Sequence, residues 1–142
     1  MRILGIDYGD KNIGLAISDK LLFTAQPLGL YKTINKTEDK KYFLQLASRY
    51  KVSKIVIGLP LRLDGSAGTR VEKTKKFAAW LKKTLQLPIV MWDERLTTRQ
   101  ANFILNQQKI KDKKKKNLKD QVSANIILSS YLEHIRHQSD DQ

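Results

Sequence analysis

Four acidic residues stand where apolar elements end or begin. Asp7 follows the run Ile3-Leu4-Gly5-Ile6, Asp93 and Glu94 follow Ile89-Val90-Met91-Trp92, and Asp120 opens a helical stripe with Ala124, Ile127 and Tyr131. Carboxylates are seldom buried without a partner, so their recurrence beside hydrophobic segments asks for a cation. Oxygen ligands suit Mg2+ or Mn2+, which catalyse phosphodiester hydrolysis, often as a pair about 3.5 to 4 Å apart. Close carboxylates also repel one another, a cost that a bound cation removes. Each residue has a plainer use as well. Asp7 could shape a turn, Asp93 and Glu94 could pair with Arg95 or Arg99 in solvent, and Asp120 could complement the positive end of its helix. What favours the chemical use is whether the elements bring these positions together.

Hydrophobic periodicity supplies the elements. Arg2–Asp7 and Asn12–Ser18 read as strands joined by the turn Tyr8-Gly9-Asp10-Lys11, an antiparallel hairpin. A third strand is expected near Pro27–Lys32, then a helix over Glu38–Tyr50 with Phe43, Leu46, Ala47 and Tyr50 inward. Lys54–Gly58 is a continuous apolar run, as in strands covered on both faces. The loop Asp64–Gly68 leads to Thr69-Arg70-Val71-Glu72, whose capping-box spacing predicts a helix with Phe77, Ala78, Leu81 and Leu85 inward.

A fifth strand is expected at Pro88–Trp92, and Thr97 with Gln100 marks another helix start, its inward face Ala101, Ile104 and Leu105. A lysine-dense connection over Lys109–Lys119 precedes a last helix from about Leu118 to His134. Trp80 and Trp92 read as packing residues, and His134 and His137 fall in no motif. Residues 1–137 are expected to form one domain, and 138–142 a frayed tail. Right-handed crossovers would set the fourth and fifth strands parallel to the first, so that Asp7 and Asp93-Glu94 share one edge of a mixed sheet.

The chain has 142 residues and a formal net charge of +13, from 27 Lys and Arg against 14 Asp and Glu. That excess favours a polyanionic partner, nucleic acid before a membrane surface, since there is neither a long apolar span nor a basic amphipathic helix with an aromatic face. Phosphate contacts are expected from Lys11, Arg70 and Arg95 and from Lys113, Lys114, Lys115, Lys116 and Lys119, the lysines leading directly to Asp120. A lysine run can also be a merely solubilising segment. With no cysteine, disulfides and thiolate zinc sites are excluded. The chain reads straight into a strand rather than a signal peptide, and the cytoplasm is the expected compartment.

Four blocks of residues carry a resemblance. They are Gly5-Ile6-Asp7-Tyr8-Gly9 with Asn12-Ile13-Gly14-Leu15-Ala16, Ile57-Gly58-Leu59-Pro60-Leu61 with Asp64-Gly65-Ser66, Asp93-Glu94-Arg95-Leu96-Thr97-Thr98, and Lys119-Asp120 before Ser123-Ala124. In this order, over nearly the whole chain, they resemble the YqgF/RuvX family of Holliday-junction-resolvase-like, pre-16S rRNA nucleases. The resemblance implies an α/β, RNase H-like fold, a mixed five-stranded sheet with helices on both faces. It further implies Asp7, Glu94 and Asp120 as catalytic and metal-binding carboxylates, with Asp93 beside them as a helper, and Mg2+ or Mn2+ in a two-metal arrangement.

The expected reaction is hydrolysis at the 5′ end of pre-16S rRNA during ribosome biogenesis, with the small-subunit precursor as partner. The alternatives are resolution of branched DNA and a non-catalytic assembly factor that binds nucleic acid. A junction resolvase would need two active sites and hence a second copy. A sugar-kinase reading, from the Asp-x-Gly between hairpin strands, needs two such domains, and this length supplies one.

Overall fold

The computed structural model describes residues 1–61, 68–94 and 112–140, the side chains of 112–122, 139 and 140 excepted. The expected helix start at Thr97, its inward face, Arg95, and the loop residues before Gly68 lie outside the described residues. Strands β1 (Arg2–Asp7) and β2 (Asn12–Ser18) form the expected hairpin, with Gly5 opposite Ala16 and Asp7 opposite Gly14. Strand β3 (Ala25–Lys32) pairs antiparallel with β2 and begins two residues earlier than the sequence suggests. Its register slips between Leu15 opposite Gly29 and Ala16 opposite Pro27, leaving Leu28 as an extra residue. Gly29 takes φ 112° there, a value open to glycine, so the bulge admits Pro27 without ending the strand.

Helix α1 (Lys36–Tyr50) starts two residues before the expected Glu38 because Asn35 caps it, its Oδ1 accepting the Glu38 amide at 2.9 Å. It ends at Lys51, which adopts φ 52° and donates its amide to Ala47 and Ser48. Strand β4 (Val52–Leu59) lies parallel to β1, and helix α2 (Thr69–Leu85) follows. Thr69 does not cap α2 as its spacing predicts. Gly68 takes that place, its carbonyl accepting the amides of Val71 and Glu72, so the helix opens one residue sooner without a side-chain cap. Strand β5 (Ile89–Asp93) completes a sheet of order β3-β2-β1-β4-β5.

The last helix, α3 (Asp112–Asp140), corrects the largest expectation: from Asp112 onward the lysine-dense stretch is helical rather than a connection. Lysine is a good helix former, and no Gly or Pro interrupts the chain from Asp112 onward.

Alternation along the strands builds two cores. Leu4, Ile6, Ile55 and Ile57 face α1 and α2, joined by Phe43, Ala78 and Leu81. Ile3, Ala16 and Val56 face α3 through Ala124, Ile127, Leu128, Tyr131 and Leu132. Trp80 packs against the first core and Trp92 against the second. Hydrogen bonds help hold α3 down: Lys54 Nζ donates to the Tyr131 hydroxyl at 3.2 Å, Trp92 Nε1 to Ser130 Oγ at 3.1 Å, and Arg136 to the Phe23 carbonyl at 3.4 Å.

Gly5 allows α3 its close seat. A Cβ there would lie 2.7 Å from Leu128 Cβ and 3.2 Å from the Ala124 carbonyl oxygen. Both are anchored atoms, so a larger residue must push the helix. Gly5→Ala should lower stability by about 1–2 kcal/mol, overpacking costing roughly 1–3 and the stiffer unfolded chain returning up to about 1. Chemical denaturation measures it, and an unchanged midpoint would refute the close approach.

At the β3–α1 junction, the Tyr31 hydroxyl donates to Asp39 Oδ1 at 2.6 Å, and the same oxygen accepts the Ile34 amide at 3.0 Å. Burial, then this hydrogen bond, pushes the phenol from 10.0 up to about 12. The folded state therefore holds the proton longer than the unfolded one. Its contribution is intact below pH 10 and lost as pH rises towards about 12. Alkaline melts of Tyr31→Phe should lose this part of the pH dependence, and a curve parallel to the wild type would refute the assignment.

Candidate active site at the strand edge

Asp7 is the last residue of β1, and alternation sets it on the same face as Ile3, the face covered by α3. It is buried, with 9% of its surface exposed. One residue beyond the Ile6–Ile57 pair, it stands beside Gly58 on the neighbouring parallel strand, about 4.8 Å away across the ladder. Gly58 shares the face of Val56, as contact with α3 confirms: a Cβ at Gly58 would lie 2.5 Å from Ile127 Cδ1.

Glu94 follows the end of β5 and reaches back across β4. The same hypothetical Cβ on Gly58 would meet its Cγ at 2.8 Å and its Cδ at 3.0 Å. The Glu94 carboxyl group thus occupies space that any other residue at position 58 would fill, and it lies over the strand next to Asp7. Gly58 went unrecognised in the sequence as a site residue. Its only signal was a glycine near the end of an otherwise apolar strand, which marks a close approach.

Asp93 is not part of this pairing. Ile89 and Met91 face the α1–α2 core, Val90 and Trp92 the α3 side, and the alternation puts Asp93 with Met91 on the opposite face from Asp7. β5 ends on Asp93 rather than Trp92, and that one residue decides the side.

The direction of α3 places position 120. Ile127 lies over Gly58, while Tyr131 reaches Lys54, four residues earlier on β4, so α3 runs antiparallel to β4 and β1. Ala124 is over Gly5. Asp7 lies about 7 Å further along the strand, and backbone position 120 about 6 Å further along the helix in the same sense. The Asp120 side chain is outside the described residues, among which no three His, Asp or Glu side chains form a metal-sized group.

Lys11 and Arg70 come to the same edge and are exposed. Lys11 belongs to the β1–β2 turn, where its carbonyl accepts the Thr33 amide at 3.0 Å. Arg70 is in the first turn of α2, which approaches that turn through the Lys73–Asp10 ion pair at 3.4 Å and the stacking of Tyr8 on Phe77. Burial, then the Asp10 charge, raises the Tyr8 phenol above its ordinary range, so it stays neutral. Lys113, Lys114, Lys115, Lys116 and Lys119 lie on α3 before position 120. Asp112 is about 18 Å along the axis from Ala124, so this part of the helix extends past the sheet edge.

Residues 1–134 match the family model RuvX, Holliday junction resolvase. A protein of Halothermothrix orenii named "Putative pre-16S rRNA nuclease" is 46% identical over 136 residues, covering 94% of this chain and 96% of that protein. A namesake from Clostridium acetobutylicum is 45% identical over 135 residues, covering 95% and 100%. Among solved structures, T. thermophilus RuvC in complex with a Holliday junction substrate superposes with a TM-score of 0.57 at 12% identity, over 96% of each chain. The Fowlpox virus resolvase, in complex with substrate Holliday junction DNA, gives 0.52 at 17% identity, over 95% of this chain and 99% of that one. These likenesses establish the RNase H-like fold, a mixed five-stranded sheet between helices. Sequence, over nearly its whole length, makes this chain a member of the RuvX family of nucleases.

Proposed function

We propose that the chain is a divalent-metal-dependent nuclease that processes the 5′ end of pre-16S rRNA in the cytoplasm, with Asp7, Glu94 and Asp120 as its catalytic carboxylates. The observation that carries this reading is the Glu94 carboxyl group laid over Gly58, on the face and strand edge of Asp7. The names of the curated relatives supply the substrate.

The donor set fits a hard divalent cation. Asp7 and Glu94 offer oxygen ligands from neighbouring positions, and the missing Cβ of Gly58 leaves room for the second. Asp120 would complete the set from the helix. A cation held there supplies positive charge that polarises the phosphodiester and acidifies water. The chain's own residues do the rest. Asp7 is fixed by the β1 ladder and the cover of α3, so its carboxylate is held in place before substrate arrives. Lys11, Arg70 and Arg95 engage phosphates flanking the cut, while the lysines of α3 draw in the backbone without reading its sequence. No helix among the described residues is long and apolar enough to cross a membrane.

Asp7→Asn keeps the shape of the residue and removes a charged ligand. With Mg2+ or Mn2+ and a structured precursor RNA, its cleavage rate should fall on the order of a hundredfold or more while RNA binding persists. Equal cutting by variant and wild type would sink the catalytic assignment. If both bind and neither cuts, the protein is a binding factor, and cleavage confined to four-way DNA junctions would identify a resolvase.

Gly58→Ala tests the geometry separately. The atoms in its way are side-chain ends, so the fold should survive with a loss of about 1–2 kcal/mol. Glu94 must move, and cleavage should drop at least about tenfold. Full activity would show that the position of Glu94 does not matter.

A further inference from the structure

The opposite edge of the sheet carries a cleft with no role in the reading above. Met1, Arg2, Lys20, Arg49, Tyr50 and Lys51 line it. They gather because β1 begins there, β2 ends there and α1 ends beside them, the Arg2 amide donating to the Lys51 carbonyl at 3.3 Å. Four cationic side chains thus share one depression with no carboxylate in its lining. Nor does any ion pair among the described residues involve Arg2, Lys20, Arg49 or Lys51. Asp19, adjacent in sequence, uses Oδ1 to accept the amides of Phe23 and Thr24 at 2.7 and 3.0 Å, fixing the β2–β3 turn.

Complementing a helix end does not account for this much charge. The C-terminus of α1 is equivalent to about half a negative charge, which Arg49 alone would answer. The remaining cations come from a strand, a turn and the cap itself. The Arg2 and Arg49 guanidinium groups lie 5.8 and 5.5 Å from the centre of the Tyr50 ring. Two planar forks are held near one ring, preset for bidentate contact with phosphate oxygens.

We infer that this cleft, formed by Arg2, Lys20, Arg49 and Lys51 around Tyr50, binds backbone phosphates of the nucleic acid at a distance from the carboxylate edge. The inference rests on nucleic acid being the partner, but not on its being cut. Arg2 and Asp7 are the two ends of β1, five residue steps or about 17 Å apart. A duplex carries one phosphate per about 1.7 Å of axis, so a duplex lying from edge to edge offers about ten. The cleft would anchor the flank of a structured substrate and select length and shape rather than sequence.

The test is the salt dependence of binding to a long RNA duplex, read by fluorescence anisotropy without divalent metal. Arg2→Gln/Arg49→Gln should bind several-fold more weakly, with a log–log salt slope shallower by about two. Lys20→Gln/Lys51→Asn should show a similar change, and Asn tolerates the left-handed backbone at position 51. This second pair decides the matter if the first lowers the melting temperature.

Wild-type slopes in both variants would overturn the inference, as would a wild type with no salt-dependent binding. So would a cleft that takes up inorganic phosphate in calorimetry while both variants keep the wild-type RNA slope. A wild type that binds but never cuts ends the nuclease reading and leaves this comparison intact.

Discussion

The distance between α3 and the sheet governs both the packing of one face and the site at its edge. Two positions set it, Gly5 on β1 and Gly58 on β4, where the missing Cβ atoms let Leu128, Ala124 and Ile127 come against the backbone. At Gly5 the space gained is filled by the helix itself. At Gly58 it is shared between Ile127 and the side chain of Glu94. One steric concession therefore seats a helix and locates a carboxylate. Interiors packed to crystal-like density transmit small displacements, so the core under α3 and the geometry at Asp7 are mechanically the same object.

Such an arrangement puts polar groups where they are costly. A carboxylate as little exposed as Asp7 must be compensated by its surroundings, and it sits beside a core of Ile3, Val56, Ile127 and Leu128. Each large apolar side chain buried there contributes on the order of 1.5–3 kcal/mol, enough in sum to offset the cost of one buried carboxylate. The excess positive charge of the chain is distributed differently. It lies on helix α3 before position 120, at the turns near Asp7, and in the cleft at the far end of β1. Hydrophobic burial surrounds the Asp7 carboxylate, while Lys11 and Arg70 near it are exposed.

Much of this was legible in the sequence, for reasons that also explain the misses. Strands β1, β2 and β4 announce themselves because their buried middles are continuously apolar, and the parallel crossovers bring Asp7 and Glu94 to one edge. The helix starts were harder, since caps are local competitions: Asn35 wins over Glu38 by accepting an amide, and Gly68 displaces Thr69 although the Thr69–Glu72 spacing is correct. The lysine stretch misled because polarity resembles a loop, whereas the backbone responds to the absence of helix breakers. Asp93 and Glu94 are indistinguishable by type, and only the last residue of β5 assigns them to opposite faces. Gly58 gave one local signal, a glycine near the end of an apolar run, but the helix and the Glu94 side chain that it admits are remote in sequence.

Strand β3 is one of the two outer strands of the sheet, and its irregularity bears on how the protein behaves in company. A flat outer strand offers a row of amides and carbonyls on which a second chain can polymerise. Here Pro27 removes one donor, and the bulge at Leu28 with the turned backbone of Gly29 breaks the repeat halfway along. A foreign strand could match one half of β3 or the other, never both in a single register. The irregularity thereby denies a second chain a continuous register along this edge of the sheet.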